Sequence, residues 1–468
     1  MKKTVAFAAL TALVSALSLS GCGNGQPAGN NNGSAPAAQQ KTLRILTNVV
    51  GGKTPQEDAL FAKEIQRLTG IQVELVHPPT DYDQKLLAAM SSGEKFDVIY
   101  CTKPTLDLLV SQGVLTPLTN QIKNSKVLSD TKVVPQDEWD EIRSADGQIY
   151  GVPVKYEGGL LPIVRQDWMQ KLHLSQPKTL DDFYKVLKAF KDDDPDGDGK
   201  ADTYGLTLSS AYDIQPFMSA VGLQYGVQEV NGKKVVPYAT DAAVPVYEWL
   251  HKLYQEGILD PKFVTNSTAD ERNEFLSGRV GMFVYWDAWV GMLNNLQKQN
   301  NPNSTFDAEG IPGAVGPDGK IMLRRGDPSL WAIPKNAPHP DVAFQFLEWW
   351  NTKPGEILGS LGIEGYDYTV KDGTYTLTDT GKQHNMDHGD PNPTDTTWKN
   401  PFGSLPGYDN AKSIILQYGT VPKYSTNWTE VEKSIVWHYI DEAITGHMSA
   451  QDAVHKMHDE LQAKHVID

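Results

Sequence analysis

Four aspartates in the run Asp194-Pro195-Asp196-Gly197-Asp198-Gly199-Lys200-Ala201-Asp202 have the spacing of a hard-cation site. Calcium takes about six to eight oxygens. An EF-type loop supplies them from its odd positions, with glycine at the sixth for a sharp turn. Asp194, Asp196, Asp198, the Lys200 carbonyl and Asp202 fall on positions 1, 3, 5, 7 and 9, and Gly199 falls on the sixth. The pattern departs at position 12, where Gly205 replaces the expected glutamate, so Thr203 or a carboxylate from elsewhere must complete the shell. A helical pattern enters the loop and the strand-like Tyr204–Leu208 leaves it. The expectation is an isolated structural calcium ion, against the alternative of a solvated acidic loop.

The run Val280-Gly281-Met282-Phe283-Val284-Tyr285-Trp286-Asp287-Ala288-Trp289 reads as a strand turning into a helix. That junction aims Tyr285, Trp286, Asp287 and Trp289 off a sheet's C-terminal edge, where open α/β sheets take ligands. Aromatic faces suit the apolar C–H surface of a sugar ring, while a carboxylate takes its hydroxyls. The competing reading is packing. Glu157 follows the strand-like Val154-Lys155-Tyr156 and precedes Gly158-Gly159, as a crossing between lobes would, and Trp331 opens a further strand-like run. Each alone is better explained as a structural or solvated residue.

Catalytic motifs are missing from the sequence. Gly52-Lys53-Thr54 resembles the end of a phosphate-binding loop, but position 47 is Thr where the first glycine belongs. No Gly-x-Ser-x-Gly and no His-Glu-x-x-His occur. His384, Asp387 and His388 lie beside Pro391 and Pro393 and read as loop polarity. Cys101, in the strand-like Phe96–Cys101, reads as a buried inert thiol.

The elements that position these residues follow an export signal. Lys2-Lys3, an apolar run from Val5 to Leu19 and the small residues before Cys22 describe a signal too short to span a membrane. Leu19-Ser20-Gly21-Cys22 resembles a bacterial lipobox, which makes Cys22 the lipidated N-terminus. Residues 22–41, rich in Gly, Asn, Ala, Gln and Pro, are a flexible tether. Without residues 1–21 the formal charge of −16 becomes −18, with no long basic segment, so nucleic acid is an unsuitable partner.

The 447 remaining residues exceed what one core usually holds, and two lobes are expected. Strand candidates at Leu43–Leu46, Ile71–Leu75 and Phe96–Cys101 alternate with helical patterns, implying a largely parallel, helix-covered sheet. Thr179 caps a helix that carries Phe183, Val186, Leu187 and Phe190 on one face. Further helices are expected over Ala242–Tyr254, Pro338–Trp350 and from Ser449, and an irregular excursion over Asp367–Tyr408.

Gln148–Pro153, Arg165–Leu172, Pro177–Phe183 and Phe275–Met282 resemble the running pattern of family 1 extracellular solute-binding proteins, lipoprotein receptors of carbohydrate ABC importers. The acidic loop is similar to that of alginate- and oligosaccharide-binding members, although Thr203 stands where glutamate is usual. The resemblance implies an α/β, two-lobed periplasmic-binding-protein-like fold closing at a hinge. Residues 42–155 and 325–362 would form the first lobe, and 156–324 and 363–468 the second. Crossings are implied near Val154–Glu157, Gly313–Asp327 and Gly362–Tyr366. It also implies a sugar-stacking Trp286 or Trp289, a polar contact at Tyr156-Glu157, and a weaker one at Asn48. The function implied is a non-enzymatic, lipid-anchored extracellular receptor that delivers an oligosaccharide to ABC permease subunits. Two rivals are a calcium-dependent surface glycosidase and a peptide receptor of the same fold.

Overall fold

The computed structural model describes residues 42–48, 54–78, 82–388, 392–425 and 428–468. The signal, Cys22 and the tether lie outside them. Eleven strands build two sheets: Thr42–Leu46 (β1), Gln72–Val76 (β2), Val98–Thr102 (β3), Gly151–Pro153 (β4), Gly159–Arg165 (β5), Tyr204–Leu206 (β6), Val280–Trp286 (β7), Ala308–Gly310 (β8), Leu323–Arg325 (β9), Ser329–Ala332 (β10) and Gly419–Thr420 (β11).

The first sheet runs β2-β1-β3-β10-β4. Its first three strands are parallel, as the alternation of strands and helices dictates, while β10 pairs antiparallel with both β3 and β4. The helix Pro55–Thr69 links β1 to β2. Thr54 caps it by accepting from the Glu57 amide, and Gly70 ends it at φ 75. Phe61 and Ile65 of this helix are buried as their spacing predicts, but Leu60 lies on the solvent side. Cys101 is fully buried, and burial raises its thiol pKa far above the usual range, which leaves it inert.

The second sheet runs β11-β9-β5-β7-β6, with β8 beside β5. β5 and β7 pair antiparallel along most of their length, Leu160 opposite Trp286 and Val164 opposite Met282. Leu180–Asp192 packs on this sheet with Phe183, Val186, Leu187 and Phe190 buried, held at its start by a reciprocal Thr179–Asp182 box. A Cβ on Gly281 would sit 2.2 Å from the Phe190 ring, so the close helix–sheet approach requires glycine there. The helices Val244–Gln255, His438–Thr445 and Ala450–Ala463 complete the lobe.

Two crossings between the lobes are short. The chain passes from β4 to β5 through residues 154–158, and from β9 to β10 through Gly326-Asp327-Pro328. The third differs from the expectation at Gly362–Tyr366. There the chain stays on the first lobe: the Tyr366 hydroxyl donates to Glu57, and Thr394 and Thr396 bond to the Val133 and Lys132 carbonyls. Lys353 lies over the Trp398 ring, whereas Leu405 packs against Gly291 of the second lobe. The passage therefore falls between Trp398 and Leu405. Residues expected to be irregular form a hairpin, Tyr368–Lys371 with Thr374–Leu377, and a helix, Asp379–His388. His384 ties this excursion down by pairing with Asp367 (2.7 Å) and Glu57 (3.3 Å). The side chains of Asp387 and His388 lie outside the described residues.

Candidate functional site: the junction between the lobes

The β7 strand decides which aromatics can act together. Successive side chains on a strand point to opposite faces. Trp286 therefore shares a face with Met282 and Val284, and Tyr285 shares the other with Phe283, on which its ring stacks at 5.8 Å. Trp289, in the first turn of the following helix Ala288–Asn300, stands edge-on to Tyr285 at 5.7 Å, and the Arg272 guanidinium lies 4.3 Å from its ring. Tyr285 and Trp289 thus belong to a stack with Arg272. The Trp286 ring reaches the lobe junction instead. A Cβ on Gly326 would sit 2.5 Å from its far edge and 2.8 Å from Glu157 Cγ, so this close approach again needs a glycine.

Glu157 is held from both lobes. Ser329 Oγ donates to its Oε2 at 2.7 Å, Lys155 lies 3.5 Å away, and Arg325 donates to its backbone carbonyl at 3.3 Å. The Ser329 and Tyr100 hydroxyls are 3.0 Å apart, extending the chain into the first lobe. Tyr156 is buried between two cations, Lys412 at 4.8 Å and Arg325 at 5.3 Å from its ring, and its hydroxyl finds no partner among the described residues. Asp287 is 1% exposed; Gly159 donates to one of its oxygens at 3.3 Å and the other has no donor among the described residues. Burial pushes its pKa up to about 6, against the pull of the Gly159 and Ala288 amides.

One sequence candidate sits elsewhere. Trp331 is fully buried in the first-lobe core, edge-on to Tyr100, Phe346 and Trp350, and presents no face to a ligand. Its place opposite Tyr100 on β3 and Val152 on β4 puts it mid-sheet, which an isolated strand pattern does not disclose. Asn48 is exposed beyond the C-terminal end of β1.

The junction also holds residues that no motif announced. Arg324, the middle residue of β9, lies 4.5 Å from the Tyr225 ring and bonds to the Tyr212 carbonyl (3.3 Å) and the Tyr424 hydroxyl (3.4 Å). Burial opposes its charge, but Tyr424, Tyr225, Asp213 and Asp327 outweigh burial and hold it firmly protonated. The stretch Glu432–Trp437 winds as a wide π-type helix, a form frequent at functional sites. It delivers Glu432 to accept from the Tyr225 hydroxyl, and Trp437, whose Nε1 donates to the same hydroxyl at 3.2 Å. Trp437 stands edge-on to Tyr212, and Tyr424 leans on Trp428. These side chains come from five separate stretches, so no local spacing marks them. The adjacent pair Arg324-Arg325, just before a crossing, is the one sequence feature that could have marked the place.

Arg325 bridges the lobes. From the second-lobe strand it donates to Glu138 at 2.9 Å and to both oxygens of Glu141 at 3.0 Å, on the first-lobe helix Gln136–Ile142. Burial raises Glu141 to about 7, with Arg325 pulling the other way.

The acidic loop is a separate place. One carboxylate oxygen from each of Asp194, Asp196 and Asp198 lies within 4.8 Å of the others, and Gly197 and Gly199 both take φ 79. The Asp194 carboxylate accepts from the Gly197 and Gly199 amides, and Lys200 Nζ sits 2.6 Å from Asp198. Asp202 is exposed and not part of that group of three. Thr203 is buried and donates to the Phe190 carbonyl at 2.8 Å.

The junction gathers aromatic faces and hydrogen-bonding carboxylates between two lobes, a suitable cradle for a polyhydroxylated solute. Among the described residues no helix is long and apolar enough to cross a membrane. Lipoprotein LipO of Bacillus subtilis (strain 168) is 26% identical over 385 residues, covering 78% of this chain and 74% of its own. The polygalacturonan/rhamnogalacturonan-binding protein YtcQ of the same organism is 26% identical over 377 residues, 76% and 73% of the two chains. The fructooligosaccharide ABC transporter substrate-binding protein FusA of Streptococcus pneumoniae serotype 4 (strain ATCC BAA-334 / TIGR4) is 26% identical over 317 residues, 62% and 56%. The solved S. pneumoniae FusA complex with kestose superposes at a TM-score of 0.59, 18% identical, over 91% of this chain and 100% of that one. The family model of the bacterial extracellular solute-binding protein matches residues 61–359. A match of that extent, on a chain folded into two such lobes, makes this protein a member of the bacterial extracellular solute-binding proteins.

Proposed function

We propose that this protein is a lipid-anchored receptor that captures an oligosaccharide between its lobes and hands it to an ABC importer, with no covalent chemistry of its own. The observation that carries the reading is the Trp286 ring at the lobe junction, beside Glu157 and Gly326. Around it, Tyr212, Tyr225 and Tyr424 surround Arg324. A sugar ring stacks on Trp286 while its hydroxyls pair with Glu157 and neighbouring polar groups. Ligand contacts to both lobes favour a closed arrangement over an open one only by contacts the open one lacks. The relatives YtcQ and FusA, both named for the carbohydrates they bind, support this class. The name of LipO supports acylation at Cys22, with the tether holding the body near the membrane face. Two or more acyl chains make such attachment lasting.

A thermal-shift screen of the purified protein against oligosaccharides tests the reading, because a ligand of the native state raises the midpoint by mass action. The expected result is a rise with one sugar class and recovery of that sugar intact. Recovery of cleaved sugar would replace the receptor with a glycosidase. A rise with peptides alone would leave the fold and change the ligand.

Calcium is the second part of the proposal. Asp194, Asp196 and Asp198 are grouped as ligands should be, and the Lys200 carbonyl and Asp202 follow at the spacing of positions 7 and 9. Crowded carboxylates repel, and burial with the neighbouring acids raises Asp196 above the ordinary range. A divalent cation would relieve that repulsion and pin the loop. Chelation by EDTA is expected to lower the melting midpoint by about 5 °C. In Asp196→Asn the midpoint should no longer respond to calcium. An unchanged midpoint on chelation in the parent protein would remove the ion from the account.

A further inference from the structure

The two arginines of β9 meet different surroundings, because successive side chains on a strand point to opposite faces. Arg325 turns toward the first lobe, where Glu138 and Glu141 occupy its guanidinium. Arg324 turns the other way. It makes no ion pair among the described residues, and its Nε has no acceptor there. Its two hydrogen bonds are long and go to neutral oxygens, the Tyr212 carbonyl at 3.3 Å and the Tyr424 hydroxyl at 3.4 Å. A guanidinium carries five N–H donors in a fixed fork, so most of those of Arg324 remain for an acceptor from outside the chain. The buried Tyr225 ring backs the group at 4.5 Å, while the arginine itself is only half-buried.

Strand register places this arginine relative to Trp286. Arg324 stands directly opposite Leu160 on β5, and Leu160 directly opposite Trp286 on β7. Residues opposed across neighbouring strands share a face of the sheet. Arg324 and Trp286 therefore stand on one face, two strand spacings or about 10 Å apart at the backbone. Leu160, between them, is 1% exposed. The half-buried Tyr212 and Tyr424 flank the arginine end, the Tyr212 ring 5.8 Å from the guanidinium. One sugar ring stacked on Trp286 does not cover that span; a second or third ring does.

We propose that Arg324 contacts the ligand and sets its length. Trp286 stacks on one ring, and Arg324 donates to oxygen acceptors on a ring further along, so chains of two or more sugars are held and single sugars are not. The inference rests on the oligosaccharide reading above. Weak neutral partners suit this role, because a guanidinium already committed to a buried carboxylate would first have to give that partner up. Arg325, committed in that way, holds the lobes instead.

The test is calorimetric titration of the purified protein with ladders of one, two and three rings. Glucose to maltotriose, galactose to galactotriose and xylose to xylotriose offer hydroxyl acceptors, and galacturonate to trigalacturonate offers carboxylates. In the ladder that binds, affinity is expected to rise about 30-fold from the single sugar to the trisaccharide. Arg324→Gln should weaken the trisaccharide by about 30-fold and the single sugar by less than about threefold, whereas Trp286→Ala weakens every length. Arg324→Lys, which keeps the charge without the fork, should recover only part of the loss. An arginine that merely supports the fold gives another pattern: Arg324→Gln lowers the melting midpoint and weakens all lengths alike, which overturns the proposal. Equal affinity along the ladder in the parent protein also overturns it, and needs no variant to fold. Binding by none of the ladders overturns the oligosaccharide reading and this inference with it.

Discussion

Arg325→Ala lowers the stability of this protein by about 3–5 kcal/mol, the cost of stranding buried partner charges. The arginine is 5% exposed and spans the lobes, with Glu138 at 2.9 Å and both oxygens of Glu141 at 3.0 Å. Alanine leaves two neighbouring carboxylates with no cation between them and with little water to solvate them. The gain from an intact pair is modest, because burying three ions is itself costly; removing the middle one is what hurts. Urea unfolding, which does not screen charge, reads the loss as a shift in midpoint at constant slope.

The pH dependence of that loss has a defined sign. Burial already holds Glu141 near 7, above its ordinary 4.5, and without Arg325 it rises further. An acid raised in the folded state contributes stability below its unfolded pKa and loses it as pH climbs through the folded value. The deficit of the variant should be small near pH 4.5 and grow as pH climbs past 7. A deficit below about 1 kcal/mol at pH 8, or one that shrinks as pH rises, contradicts the assignment of Arg325 as the inter-lobe tie.

Sequence patterns disclosed the elements better than they disclosed the junction. The Thr179–Asp182 box and the buried face of Phe183, Val186, Leu187 and Phe190 are local, so a window of a dozen residues contains them. β7 was legible for the same reason, and so was its turn into the helix after it. The choice between Trp286 and Trp289 was not. It depends on which face of β7 meets Gly326, and Gly326 lies forty residues away on another crossing. Whether Trp331 packs or meets a ligand is not legible locally, because β10 reads alike at an edge or mid-sheet; its antiparallel pairing with both β3 and β4 buries it. The excursion near residue 367 reads as irregular because its hairpin and helix are polar. Pairing of His384 and Tyr366 with Glu57 fixes it to the first lobe, an arrangement without periodicity. Arg324 and its tyrosines show the limit most plainly, since residues 212, 225, 324 and 424 converge only in three dimensions.

Trp286→Ala is expected to weaken binding of the screened oligosaccharide by about 100-fold, roughly 3 kcal/mol, as for a central tryptophan anchor. Trp289→Ala, by contrast, should change affinity by less than about threefold. The contrast comes from strand geometry. Trp286 sits at the junction against Gly326 and Glu157, while Trp289 is committed to Tyr285 and Arg272 on the other side of the sheet. Loss of stacking alone predicts that Trp286→Phe, which keeps an aromatic face, recovers most of the affinity. Loss of packing predicts instead that phenylalanine recovers the melting midpoint but not the affinity. Titration of all three variants with one sugar separates the two, and a larger loss in Trp289→Ala than in Trp286→Ala would move the binding face to the opposite side of β7. The side of that strand that meets the sugar is therefore also the side that fixes which charges it meets, since Arg324, Asp327 and Glu157 all stand with Trp286.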